Sequence, residues 1–152
     1  MARQFTKVLA PIDFSETSRA ALAYALDLVS PGGVLLVCHV VDDIPLTYGY
    51  VGIAVPPPEL TRRLSEEAAR EMDAFVPKSL PEGVRLDARI LHGAPFAGVV
   101  GLAREEKVDL IVMGTHGRKG LDHAFFGSVA ENVVKKSPVP VTVINPYTLK
   151  RG

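Results

Sequence analysis

The chain has a single cysteine, no excess of charge of either sign and no long apolar run. Cys38 has no partner cysteine, so an intramolecular disulfide and a thiolate metal site are both excluded. Seventeen basic residues balance seventeen acidic ones, which argues against nucleic acid or an anionic membrane as a partner. The longest apolar run, Val34 to Val41, is too short to span a bilayer. We therefore expect a cytoplasmic protein with a buried, reduced thiol.

The length and the hydrophobic pattern predict one α/β domain over residues 1–152. Strand-like and helix-like segments alternate from end to end, which is typical of a parallel sheet with helices on both faces. The predicted strands are Phe5–Ile12, Val34–Val41, Arg85–Leu91 at an edge, Val108–Met113 and Val139–Ile144. The predicted helices contain Leu22 to Val29, Glu59 to Val76, the segment from Pro95 and the segment from Ser128. The residues Ser30 to Gly33 are expected to end the first helix, and Pro45 to Pro58 are expected to form a long lid or contact loop.

The glycines between Leu110 and Val129 indicate an anion site. Gly114, Gly117 and the pair Gly127-Ser128 lie between a buried strand and a helix, and Ser128 with Glu131 has the spacing of a capping box. A helix N-terminus offers unpaired N–H groups, and glycine lets an anion approach the backbone, so a phosphate is the expected ligand. The alternative is that these glycines serve only as turns.

The glycine spacing matches neither a Walker A motif nor the dinucleotide fingerprint. It resembles G-x2-G-x9-G-[ST], the nucleotide-binding signature of the universal stress protein family, and Gly114, Gly117, Gly127 and Ser128 fill its four fixed positions. The blocks KVLAPIDFSETS, VCHVVD and SPVPVTVI extend the resemblance over nearly the whole chain.

The order of the strands follows if one ligand occupies two strand ends. Asp13 follows the first predicted strand and Gly114 to Gly117 follow the fourth. Ligands of open α/β sheets bind where the strand order reverses, so these strands would be neighbours and the order would be 3-2-1-4-5. The family resemblance implies the same open five-stranded sheet, of the adenine nucleotide alpha hydrolase-like type.

The resemblance also implies ATP as the ligand, with Mg²⁺ held mainly by the phosphates. Asp13 and Val40 would lie near the adenosine. The full set of expected binding residues is Pro11, Asp13, Val40, Met113, Gly114, Thr115, Gly117, Arg118, Gly127, Ser128 and Val129. Asp13 could instead be only a helix cap, for which Ser15 is the other candidate, and Ser128 could be satisfied by capping its own helix. Arg118 and Lys119 could offset phosphate charge or face solvent.

We expect binding rather than catalysis, because the chain shows no committed nucleophile, base or metal ligand for phosphoryl transfer. His116 and His123 are expected to be ordinary loop histidines. The resemblance implies a nucleotide-dependent role in the stress response; the alternatives are a slow ATPase and a dimeric interaction module with a vestigial site. The apolar last strand, Val139 to Ile144, predicts a homodimer formed through that strand.

Overall fold

The computed structural model describes residues 5–42, 57–115 and 126–148, together with the backbone at 46–47 and 53–54. The elements are β1 (Phe5–Pro11), α1 (Glu16–Leu28), β2 (Val29–Val41), β3 (Leu46–Thr47), β4 (Ile53–Ala54), α2 (Pro58–Phe75), β5 (Arg85–His92), α3 (Pro95–Glu105), β6 (Leu110–Gly114), α4 (Ser128–Lys136) and β7 (Val141–Ile144).

Five parallel strands form the main sheet in the order β5-β2-β1-β6-β7. In terms of the five strands predicted from the sequence this order is 3-2-1-4-5, so the predicted topology and the edge position of β5 are confirmed. β1 lies at the centre, because the chain first adds strands on one side of it and then returns to add β6 and β7 on the other.

Two apolar cores lie on opposite faces of this sheet. Val8 and Ala10 of β1 pack with residues of α1 and α2, whereas Leu9 packs with residues of α3 and α4. All three side chains are completely buried. Burying a leucine fully contributes about 1.5–3 kcal/mol, and two covered faces explain why the central strands are continuously apolar.

Cys38 lies in the second of these cores, on β2. Its side chain is completely buried, and burial raises the pKa of the thiol to about 12. The thiol therefore stays protonated at neutral pH, and the predicted buried cysteine is confirmed. No helix in the described ranges is both long and apolar enough to cross a membrane.

The boundary between α1 and β2 differs from the sequence prediction. Val29 still donates its N–H to the Ala25 carbonyl, but its backbone is extended and it pairs with Phe5 of β1. The strand thus begins at Val29, and residues 30–33, which were expected to end the helix, belong to β2. The helix ends slightly earlier than predicted because pairing with β1 extends the chain from Val29 onward, with an irregular register between Phe5 and Lys7.

Two short strands lie within the segment that was predicted to be a long loop. Leu46 pairs with Ala54 and Thr47 with Ile53, so β3 and β4 form a short antiparallel pair, and Pro58 already begins α2. The last two strands of the main sheet, β6 and β7, begin two residues later than predicted, at Leu110 and Val141.

A chain of ion pairs connects the end of α3 to two strands. The Glu106 carboxylate lies 2.7 Å from Lys7 Nζ of β1 and 3.0 Å from Arg89 Nη2 of β5, and Arg89 lies 3.0 Å from Asp87. The hydrogen bond from Lys7 lowers the pKa of Glu106, and that from Arg89 lowers the pKa of Asp87. A carboxyl group whose pKa is lowered in the folded state stabilises the protein at pH values above the pKa that the group has in the unfolded chain. This contribution is lost as the pH falls through the folded-state pKa.

We expect Glu106→Gln to lower the melting temperature at pH 7 and to flatten its fall between about pH 5 and pH 3, because the variant lacks a titrating group with a lowered pKa. The matched control is Glu105→Gln, which changes the exposed neighbouring residue at the end of α3. Calorimetric melts across this pH range measure the effect. Equal acid sensitivity of the wild type and the Glu106 variant would contradict it.

Candidate functional site

The strand order reverses between β1 and β6, and the candidate site lies at their carboxyl ends. Val8 pairs with Leu110 and Leu9 with Ile111. Continuing this parallel register brings Pro11, the last residue of β1, beside Met113, and Ile12 beside Gly114, the last residue of β6. Such a switch point opens a crevice, because the chains leaving the two strands move to opposite faces of the sheet.

Asp13 lies in the turn that leaves β1. The turn is fixed by the Ile12 N–H, which donates to the Cys38 carbonyl at 2.8 Å. The half-buried Asp13 carboxylate accepts hydrogen bonds from the Ser15 N–H, at 3.1 Å, and from the Ser15 hydroxyl. Ser15 is the residue that caps α1, accepting from the Ser18 N–H at 3.2 Å. Of the two candidate caps in the sequence, the structure therefore has Ser15, and Asp13 orients the cap instead.

Phe14, the next residue, has a left-handed backbone with φ of +65°. A residue with a bulky side chain rarely adopts this conformation, which costs about 1–2 kcal/mol. Its ring packs against His39, with the ring centroids 4.4 Å apart, and edge-on against Phe75 at 5.5 Å. Sequence reasoning missed this contact, because only glycine or asparagine signals a positive φ; the interruption of the apolar run by His39 was the one available clue.

Thr115 and Gly127 hold together the two ends of the glycine segment. The buried Thr115 donates its N–H to Ile144 of β7 at 3.0 Å, and its carbonyl accepts from the Gly127 N–H at 2.6 Å. This contact holds the beginning of α4 beside the end of β6. The intervening residues 116–125 lie outside the described part of the chain, and with them the predicted site residues Gly117 and Arg118 as well as Lys119, His116 and His123.

The first turn of α4 differs from its predicted capping box. The Glu131 N–H donates to the Gly127 carbonyl at 2.9 Å, so Gly127 is the N-cap and Ser128 is the first helical residue. The predicted start of the helix is confirmed, but the role of Ser128 as its cap is wrong. Among the described residues no side chain caps α4. Ser128 is exposed and Val129 is half-buried in the first turn of this nine-residue helix, where the positive end of the helix dipole lies.

Three apolar members of the predicted site lie near the carboxyl ends of β1, β2 and β6. Val40 and Met113 are buried in the core formed with α3 and α4, and Pro11 is half-buried on the alternate position after Leu9. Gly98 of α3 lies so close to Val40 that an added Cβ would be 3.0 Å from its Cγ2 atom. Val40 therefore supports the site from within the core, and the contribution of Gly98 to this packing was missed by sequence reasoning.

Gly114 has a packing role that its position in the glycine signature does not suggest. An added Cβ would lie 2.4 Å from Thr17 Cγ2 and 3.2 Å from the Thr17 main-chain carbon. Thr17 is buried in the first turn of α1. Gly114 thus lets β6 lie in direct contact with the first turn of α1, the helix that follows the Asp13 turn.

The arrangement places the polar and glycine members of the predicted site at the carboxyl ends of β1 and β6: Asp13, Gly114, Thr115, Gly127 and Ser128. The other described members, Pro11, Val40, Met113 and Val129, lie around them. It provides a carboxylate that can accept hydrogen bonds and a helix N-terminus that can bind an anion. No group of three or more His, Cys, Asp or Glu side chains within the described ranges is arranged to hold a metal ion.

The chain belongs to the universal stress protein family, whose model matches residues 4–145. It is similar to universal stress protein MJ0577 of Methanocaldococcus jannaschii, with 34% identity over 158 residues that cover 95% of this chain and 97% of the relative. The solved structure of MJ0577 covers 93% of this chain and 96% of its own, with a TM-score of 0.79 and 33% identity.

Two more distant structures share the fold and contain nucleotides. A universal stress protein from Arabidopsis thaliana with AMP bound has 22% identity and a TM-score of 0.62, and the match covers 91% of this chain and 90% of that one. A universal stress protein in complex with cAMP has 23% identity and a TM-score of 0.57, with 93% and 98% covered.

We expect Gly114→Ala to destabilise the protein by about 1–3 kcal/mol, because Thr17 and α1 must move away from β6. Thr17→Ser removes the Cγ2 atom and should recover part of this loss in the double variant. Gly101→Ala is the matched control, since a Cβ there meets nothing within 4 Å; in a helix the change should stabilise by about 0.5–1 kcal/mol. Urea unfolding of the wild type, the two single glycine variants and the double variant measures these changes. An unchanged midpoint for Gly114→Ala would refute the packing role.

Proposed function

We propose that this chain is a cytoplasmic ATP-binding protein that works as a nucleotide-dependent stress-response regulator. The observation that carries the proposal is the N-terminus of α4, which no described side chain caps and which the Thr115 carbonyl holds next to the strand end that Asp13 follows. An anion bound there interacts with N–H groups and the helix dipole at once.

The phosphates are assigned to the first turn of α4. Gly127 caps that turn with its main chain alone, so no side-chain carboxylate or hydroxyl on the described residues competes with a phosphate for the first N–H groups. The Ser128 hydroxyl, exposed at the first helical position, can donate to a phosphate oxygen. Gly117 and Arg118 are proposed to complete this part of the site, and Mg²⁺ would be held by phosphate oxygens and water.

The adenosine is assigned to the β1 end of the crevice. The Asp13 carboxylate can accept hydrogen bonds from ribose hydroxyls while its other contact orients Ser15. Pro11 supplies half-buried apolar surface, and Met113 and Val40 supply the buried core of the same strand ends, which suits the face of a purine. The AMP and cAMP held by the two distant structures support an adenine nucleotide as the ligand class.

Two variants separate the proposed subsites. Ser128→Asp places a carboxylate in the first turn of α4, so we expect it to preserve or raise stability while weakening ATP binding at least ~10-fold and adenosine binding little. Asp13→Ala should lower the affinity for both ATP and adenosine by ~10-fold or more, because a hydrogen bond to a charged group contributes about 1.5–3 kcal/mol. Titration calorimetry with ATP and Mg²⁺, and with adenosine, measures the affinities.

Asp27→Ala is the control for the loss of an exposed carboxylate, since Asp27 lies near the opposite end of α1. It should leave both affinities unchanged. The proposal fails if wild-type protein shows no saturable ATP binding, or if Ser128→Asp weakens ATP and adenosine equally.

Assembly through β7 is the second part of the proposal. β7 is an edge strand of the main sheet, and Val141 and Val143 are only half-buried. Val134 and Tyr147, on either side of this strand in the sequence, are 45% and 55% exposed. A homodimer that pairs the segment Val139 to Ile144 with its copy would cover this edge and its apolar surface.

We expect light scattering at micromolar concentration to give the mass of a dimer. Val143→Lys should shift the mass toward the monomer, because a charge at the edge opposes strand pairing. Lys135→Ala, on the exposed part of α4, is the control. A monomeric mass for the wild type would overturn this mode of assembly and would leave the nucleotide proposal intact.

A further inference from the structure

The His39 imidazole contacts both neighbours of Asp13 in the sequence, Ile12 and Phe14. His39 of β2 has its Nδ1 atom 2.9 Å from the Ile12 carbonyl oxygen. A carbonyl oxygen only accepts, so Nδ1 carries the proton in this contact. The same ring lies 4.4 Å from the Phe14 ring, centroid to centroid, at an interplanar angle of 40°. His39 thus contacts the residue before Asp13 through a hydrogen bond and the residue after it through ring packing.

The Phe14 ring is anchored on the face of the sheet away from α4. Phe14 packs against the core that contains residues of α1 and α2, where Phe75 meets it edge-on. The Arg19 guanidinium lies 4.3 Å from the centroid of the Phe75 ring and extends the stack toward the surface. The left-handed backbone of Phe14 allows this ring to insert while the Asp13 carboxylate remains directed at Ser15.

This arrangement has the form of a preorganised binding group. A residue held in a sparsely populated backbone conformation persists only when its surroundings determine it, and such residues cluster at ligand sites. A carboxylate on a free turn would have to be ordered when the ligand binds, whereas here the turn is held on both sides before binding.

We propose that His39 and Phe14 are positioning residues that hold the Asp13 carboxylate in the orientation that recognises the hydroxyls of a ribose. The inference rests on the proposed nucleotide function and adds to it the two residues that fix the orientation of Asp13. His39 and Phe14 act through Asp13 and do not touch the ligand themselves.

The test compares ATP with 2′,3′-dideoxy-ATP, which lacks both ribose hydroxyls, by titration calorimetry in the presence of Mg²⁺. The wild type should prefer ATP by at least ~10-fold, since hydrogen bonds to a carboxylate distinguish the two ligands. Phe14→Gly removes the ring at a position whose φ suits glycine, and it should reduce this preference to below ~3-fold. The affinity for the dideoxy ligand should change by less than ~3-fold, which a general loss of structure would not produce.

Two variants of His39 separate its contacts and do not depend on the folding of the Phe14 variant. His39→Phe keeps a ring against Phe14 and removes the donor to Ile12, whereas His39→Asn keeps an N–H donor and removes the ring. Each should lower the preference for ATP, and Asp13→Ala should abolish it.

The outcomes of this test distinguish the two proposals. If the wild type binds ATP and Asp13→Ala abolishes the preference, but the His39 variants and Phe14→Gly retain it, the positioning role is overturned and the nucleotide function stands. Equal wild-type affinity for ATP and the dideoxy ligand overturns the positioning role in the same way. Absence of binding to either ligand overturns both.

Discussion

The parallel pairing of β1 with β6 is the constraint on which the rest of the structure depends. The chain builds β2 and β5 on one side of β1 and then returns to place β6 and β7 on the other. Because crossovers between parallel strands are right-handed, reversing the direction moves the helices to the other face, and the cores of α1 with α2 and of α3 with α4 form on opposite sides. The same reversal opens the crevice at the carboxyl ends of these two strands.

Three contacts between neighbouring elements hold the described part of the candidate site in place. The Thr115 carbonyl fixes the start of α4, Gly114 admits α1, and the His39 imidazole holds the turn that carries Asp13. Each contact joins a different pair of elements, so the described part of the candidate site is held in position by the fold itself. Preorganisation of these residues favours binding, because they need little ordering when a ligand arrives.

The features predicted from the sequence are those that follow from periodicity and from strand ends. Continuous apolar runs identified the strands, and the assumption that Asp13 and the glycine segment share one ligand produced the correct strand order. The roles of single residues were harder to predict. Gly114 packs against Thr17, and α4 is capped by Gly127 instead of Ser128. Both depend on distances between elements that a linear pattern does not contain. The positive φ of Phe14 was unpredictable for the same reason, because tertiary packing against His39 overrides its local preference.

The central claim is that the α4 N-terminus and the Asp13 turn form a single site for an adenine nucleotide. Amide chemical shifts recorded by NMR during titration with ATP and Mg²⁺ test it most directly, because they report on each N–H group separately. The account predicts the largest saturable shifts at residues 128–130 and 13–15, following one common binding curve. Shifts confined to one of these segments, two different binding curves, or no saturable shift in either segment would contradict it.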